Sequence, residues 1–103
     1  MILAVDIGNT NIVIGCIEQE KIYFVERVST DTSKTELEYV VEFKTLLELY
    51  RIELNEITGC IIASVVPPLN NVVKTAMEKL FHLTPLLVGP GVKTGLNILM
   101  DNP

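Results

Sequence analysis

"AVDIGNTNIVIGCI", residues 4–17, decides how the chain is read. An apolar run ends in Asp6. Gly8, Asn9, Thr10 and Asn11 follow at once, and a second apolar run begins at Ile12. Two apolar runs joined by so short a polar segment predict an antiparallel hairpin, with strands at 2–6 and 12–17. Glycine supplies backbone freedom for the turn, and asparagine tolerates its unusual conformations. Turn chemistry alone requires neither a carboxylate on the strand end nor a threonine between two asparagines. Two readings fit. In one, Asp6 caps the turn through bonds to the backbone, and the asparagines shape the hairpin. In the other, successive N–H groups of the turn form a nest for an anion, while the asparagine amides and the Thr10 hydroxyl add donors. A hard cation such as Mg²⁺, which prefers oxygen ligands and keeps waters, then reconciles Asp6 with a bound phosphate. There is no Walker A loop and no GxGxxG, so P-loop and Rossmann sites are not supported.

Working outward, "KIYFVERV" (21–28) reads as a third strand after a turn at Glu18–Glu20. The three strands form a meander, with strands two and three expected to run antiparallel to the first. The polar stretch "STDTSKTE" follows, and Ser33 with Glu36 has capping-box spacing, so a helix is expected to start there. Leu37, Val40, Phe43, Leu47 and Tyr50 then recur at helical spacing, and the helix is expected to end near Tyr50–Arg51. "GCIIASVV" (59–66) reads as a buried strand stopped by Pro67 and Pro68. Proline fits a first helical turn, and Leu69, Val72, Val73, Ala76 and Leu80 share a stripe, predicting a helix over 68–81. Pro85–Val88 is a short strand before a glycine-rich end. The order βββ-α-β-α-β predicts an α/β fold: a mixed five-stranded sheet with a central parallel part and packed helices.

Composition narrows the function classes. The chain has 103 residues, 49% hydrophobic and 20% charged, which suits one globular domain rather than a disordered chain. Its net charge of −5 and lack of a Lys/Arg cluster argue against nucleic acid. The apolar runs are too short to span a bilayer. No membrane partner is therefore expected, and the N-terminus shows no signal-peptide pattern; a cytoplasmic location is expected from the reduced-thiol reading of the two cysteines. Cys16 and Cys60 lie in apolar strands and read as buried reduced thiols; a disulfide requires those strands to be neighbours.

Other candidates are weaker. Lys93 and Thr94 in "GPGVKTG" can meet a phosphate or line a solvated loop, and the loop lacks a helix-initiating GK[ST] pattern. Ser64 reads as a strand-end cap that can also face a ligand. His82 reads as a polar residue favoured by a helix C-terminus. Thr30–Thr35 with Asp31 reads as a polar helix-entry loop.

"DIGNTN" resembles the first phosphate loop of the sugar-kinase and actin superfamily. "ASVVPPL" (63–69), "VGPGVKTGLNI" (88–98) and "DNP" (101–103), in that order, resemble the type III pantothenate kinase family over essentially the whole chain. The resemblance implies a ribonuclease H-like, actin-like ATPase domain spanning 1–103. It implies phosphorylation of pantothenate by Mg-ATP to 4'-phosphopantothenate, the first step of coenzyme A biosynthesis. It implies a homodimer and a monovalent cation, K⁺ or NH₄⁺. Asp6 matches the family's metal-associated aspartate, reaching Mg²⁺ through water, and Ile7, Gly8, Asn9, Thr10, Asn11, Ile12 and Val13 match the rest of the ATP loop. Met100 stands where several members have a tyrosine against the substrate; it either keeps an apolar contact there or simply anchors its loop. The family's general-base aspartate is expected beyond Pro103, as are its second phosphate loop and second domain, so these residues alone are expected to be inactive. A non-catalytic accessory relative of the same fold and another sugar or acyl kinase are the rival readings.

Overall fold

Apolar alternation places the strands. In a computed structural model that describes residues 1–89, β1 spans Ile2–Ile7, β2 Asn11–Glu18, β3 Lys21–Ser29, β4 Gly59–Ser64 and β5 Leu86–Val88. Helix α1 spans Glu36–Leu49 and α2 Pro67–Phe81. A single 3₁₀ turn at Leu54–Glu56, which the sequence reading did not anticipate, leads into β4. The sheet order is β3-β2-β1-β4-β5. β1 pairs antiparallel with β2 and parallel with β4, and β4 pairs parallel with β5. The mixed five-stranded sheet is as expected, with one correction: β3 opposes β2 and therefore runs with β1. Two successive hairpins reverse the chain twice and restore its direction.

The sheet has two unlike faces because strand side chains alternate. Leu3, Val5 and Ile7 of β1 join Ile12, Ile14 and Cys16 of β2 and Ile62 of β4 in the main core. Tyr39, Phe43 and Leu47 of α1 and Leu69, Val73 and Met77 of α2 cover that face. Each such buried apolar side chain contributes roughly 1.5–3 kcal/mol. The opposite face carries a smaller cluster, Ala4 and Ile17 with the half-buried Val13, Ile22 and Val25. Asp6 alternates onto this second face.

The helix ends show where local chemistry departs from expectation. Ser33 does not cap α1: its N–H and hydroxyl both donate to the Asp31 carboxylate, at 2.9 and 2.6 Å. Thr35 caps instead, in a capping box with Glu38, two residues later than expected. Leu37 is exposed and Tyr39 is buried. α1 ends as a Schellman motif, with Ile52 N–H donating to Leu47 O at 2.9 Å, Arg51 N–H to Glu48 O at 3.1 Å, and Arg51 at φ 58°. Tyr50 stacks on Phe24 of β3 at 4.5 Å between ring centroids and donates its hydroxyl to Glu26. α2 begins with both prolines in its first turn and ends at His82, which sits at φ 57°. His82 thus serves as a left-handed cap, which its expected polar role did not include.

Cys16 and Cys60 both pair in register with Leu3, from opposite sides. Two strand spacings, roughly 9–10 Å, separate them, beyond disulfide reach. Burial pushes the thiols up, Cys16 to about 11 and Cys60 to about 12. Both stay protonated and unreactive near neutral pH. No helix among the described residues is long and apolar enough to cross a membrane.

Candidate functional site

In open α/β sheets, ligands bind beyond the carboxyl ends of the parallel strands. Here those ends belong to β1 and β4, where Asp6 lies opposite Ala63 and Ile7 opposite Ser64. The strand ends are tied by Val65 N–H donating to Ile7 O at 3.0 Å. That bond, with Val66 N–H donating to Ser64 Oγ at 3.0 Å, closes β4 at Ser64 rather than Val66. Ser64 is therefore the strand-end cap its position suggested.

The β1–β2 turn stands on the other side of Asp6. Gly8 N–H donates to Asn11 O at 3.0 Å, leaving Asn9 and Thr10 exposed at the tip. Gly8 does not use the left-handed region that its glycine suggested, and neither Asn9 nor Asn11 has positive φ. The glycine serves close approach instead: a Cβ there would lie 3.0 Å from Asn11 O. The carbonyls of the turn are engaged from outside. Thr30 Oγ1 donates to Gly8 O at 2.6 Å, and Thr30 N–H donates to Thr10 O at 2.9 Å. The N–H groups of Asn9 and Thr10 donate to no backbone acceptor among the described residues.

Asp6 is the electrostatic anomaly. It lies between Val13 of β2 and Ala63 of β4 and joins no ion pair among the described residues. Its Oδ1 is buried without a hydrogen-bond partner among the described residues. Burial holds its carboxyl above the usual carboxylate range. A native buried oxygen with no donor calls for an ion or water. A hard cation fits it, since carboxylate oxygen is the ligand type Mg²⁺ takes, alongside waters and phosphate. No group of three or more His, Cys, Asp and Glu converges among the described residues, so these residues supply no cage there.

Ile7 and Ile12 point into the main core. They can meet a ligand only through their backbone. Val13 flanks Asp6, and Asn11 opens β2. The N-terminus of α2 adds little for an anion: Pro67 and Pro68 lack N–H, and Leu69 N–H is spent on Val66 O at 3.0 Å. Lys93, Thr94 and Met100 lie outside the described residues. Thr30, which the sequence reading left in a helix-entry loop, is the residue it missed. Extending the β2–β3 register one step past Asn11–Ser29 sets Thr30 opposite Thr10.

Comparison with known proteins agrees with this architecture. The fold superposes on ROK hexokinase from Thermus thermophilus with a TM-score of 0.64 at 10% identity, covering 85% of this chain and 34% of that one. That likeness shows the actin-like ATPase fold. The chain is 43% identical over 103 residues to a type III pantothenate kinase of Halalkalibacterium halodurans, covering 100% of this chain and 41% of that protein. It is 47% identical over 103 residues to one from Bacillus cytotoxicus, covering all of this chain and 39% of that protein. The chain thus spans about two fifths of the length of these curated relatives. The sequence model described as type III pantothenate kinase matches residues 2–103. With that match over nearly its whole length, the chain belongs to the type III pantothenate kinase family.

Proposed function

We propose that residues 1–103 form the N-terminal actin-like ATPase domain of an enzyme that phosphorylates pantothenate with ATP, giving 4'-phosphopantothenate for coenzyme A synthesis. The observation that carries this reading is the pairing of two complementary features at one strand end. Among the described residues, Asp6 Oδ1 lacks a donor, and the adjacent turn holds N–H groups that lack acceptors. A phosphate with its cation satisfies both.

On this reading the turn from Gly8 to Asn11 receives the nucleotide phosphates on its backbone N–H groups. Gly8 lets the chain pass close to them, and the Thr10 hydroxyl and the amides of Asn9 and Asn11 supply further donors. Ile7, Ile12 and Val13 hold the loop on the sheet. Asp6 orients the waters of a Mg²⁺ ion, which when bound neutralises phosphate charge. Catalysis by this half of the enzyme is then positioning and charge stabilisation. The base for the pantothenate hydroxyl is assigned to an aspartate beyond Pro103, where the family resemblance puts it, so residues 1–103 alone do not turn over. The same reading gives Met100 an apolar contact with the substrate. It also gives the full-length protein a monovalent cation, K⁺ or NH₄⁺, homodimeric assembly and a cytoplasmic location.

The test is Asp6→Asn in the full-length protein, assayed for pantothenate-dependent ATP consumption. A drop in kcat of at least about 100-fold is expected, the scale of losing a preorganised electrostatic contact. Turnover close to wild type contradicts the role given to Asp6.

A further inference from the structure

We infer that Thr30 is a positioning residue for nucleotide binding: it holds two carbonyls of the β1–β2 turn away from the phosphates. This rests on the proposed function. Thr30 is half-buried and lies 22 residues from Gly8 in sequence. It reaches the turn twice, through its hydroxyl to Gly8 O at 2.6 Å and its N–H to Thr10 O at 2.9 Å. No peptide bond of the described chain is cis. In a trans peptide the C=O and the following N–H point in opposite directions. Drawing the Gly8 and Thr10 carbonyls toward Thr30 therefore turns the Asn9 and Asn11 N–H groups away from it. Asn9 is exposed at the tip of the turn, so its donor stands on a residue a ligand can reach, whereas the Asn11 N–H shares the side of Asn11 O and faces Gly8 across the hairpin.

The electrostatic consequence is direct. A carbonyl oxygen carries partial negative charge and repels phosphate. An unanchored turn can rotate its peptide planes and present oxygen where nitrogen is needed. Just before the turn, Ile7 O is held on the opposite side by Val65 N–H at 3.0 Å. Thr30 and Val65 together fix three peptide planes, those that follow Ile7, Gly8 and Thr10, before any ligand arrives. Preorganisation of this kind is felt in nucleotide affinity and not in the affinity for the acceptor.

The experiment compares Thr30→Val, which keeps the shape and removes the hydroxyl, with Thr30→Ser, which keeps the hydroxyl. Both are made in the full-length protein. Binding of a magnesium complex of a non-hydrolysable ATP analogue is measured by calorimetry, and KM for ATP and for pantothenate by steady-state assay. Thr30→Val is expected to weaken nucleotide binding and raise KM for ATP about tenfold, the scale of one lost hydrogen bond, with the pantothenate KM unchanged. Thr30→Ser is expected to restore most of the loss. Should Thr30→Val fail to fold, Thr30→Ala takes its place in the same titration. Unchanged nucleotide affinity, equal loss for both substrates, or a serine variant as weak as the valine one overturns the inference. Wild-type protein that fails to bind the nucleotide overturns the proposed function itself, whereas wild-type binding that Thr30→Val leaves intact overturns only the role of Thr30.

Discussion

The meander turns twice, at Gly8–Thr10 between β1 and β2 and at Gln19–Glu20 between β2 and β3, and the two turns are built differently. The second is local. Glu18 pairs with Lys21, and Gln19 takes φ 56° to complete the reversal. Its carbonyls accept nothing from other loops among the described residues. The first turn adopts no left-handed residue but is engaged from two distant segments, by Thr30 and, at Ile7 O, by Val65. It also adjoins the buried, unpartnered oxygen of Asp6. A turn that only reverses a chain does so with its own dihedrals. A turn whose carbonyls are pinned from outside has its N–H groups reserved, and that difference separates the candidate site from an ordinary hairpin.

The contrast can be broken most severely at Gly8. In Gly8→Ala the new Cβ meets a backbone oxygen, Asn11 O, at 3.0 Å, and relief requires that carbonyl to give by a few tenths of an ångström. The strain of such overpacking, about 1–3 kcal/mol, predicts a tenfold to hundredfold loss in Mg-nucleotide affinity of the full-length protein by calorimetry. Unchanged affinity removes the reason given for the glycine.

Asp6 offers a second, smaller effect of opposite sign for stability. Its folded-state pKa is raised, so the folded chain holds this proton more tightly than the unfolded chain does. Stability from this group is present below the ordinary carboxylate value of 3.8 and is lost as pH rises through the raised pKa. Asp6→Asn, inactive on the proposed mechanism, is therefore expected to melt at a higher temperature than wild type at neutral pH. The difference should close as pH is lowered toward 4. A lower melting temperature at neutral pH would mean that Asp6 is held by favourable contacts, as in an ordinary capped hairpin.

The smallest effect belongs to the second turn. Gln19→Gly removes a left-handed cost of about 1–2 kcal/mol and adds back about 0.5–1 kcal/mol of chain entropy. A net gain of roughly 0.5–1 kcal/mol, read as a slightly higher melting temperature, is expected, with nucleotide affinity unaltered. A change in affinity would blur the distinction between the turns.

Much of this was legible in the residues. The apolar alternation and the two prolines before Leu69 place the strands and α2, because burial on one face leaves a period that can be counted. α1 is less legible. Ser33 and Thr35 both stand three residues before a glutamate, and only the capture of Ser33 by Asp31 decides between them. Apolar residues also lie on both flanks of α1, with Leu37, Val41 and Leu49 exposed, so periodicity does not set which face is buried. At the site, Asp6 and the Gly8–Asn11 turn stand out as residues a plain hairpin does not need. Thr30 does not stand out, because a threonine in a polar loop looks the same whether or not it reaches a carbonyl 22 residues away. That information sits in strand register, which becomes visible only once β2 and β3 are paired.

On the proposed function the first turn, and not the second, receives phosphate on its backbone N–H groups. Amide resonances of both turns in the isotope-labelled full-length protein, followed during titration with a magnesium complex of a non-hydrolysable ATP analogue, test it most directly. Saturable shifts are expected at Asn9, Thr10 and Asn11, with Gln19, Glu20 and Lys21 unmoved. Saturable nucleotide binding that leaves the amides of Asn9, Thr10 and Asn11 unmoved would contradict it.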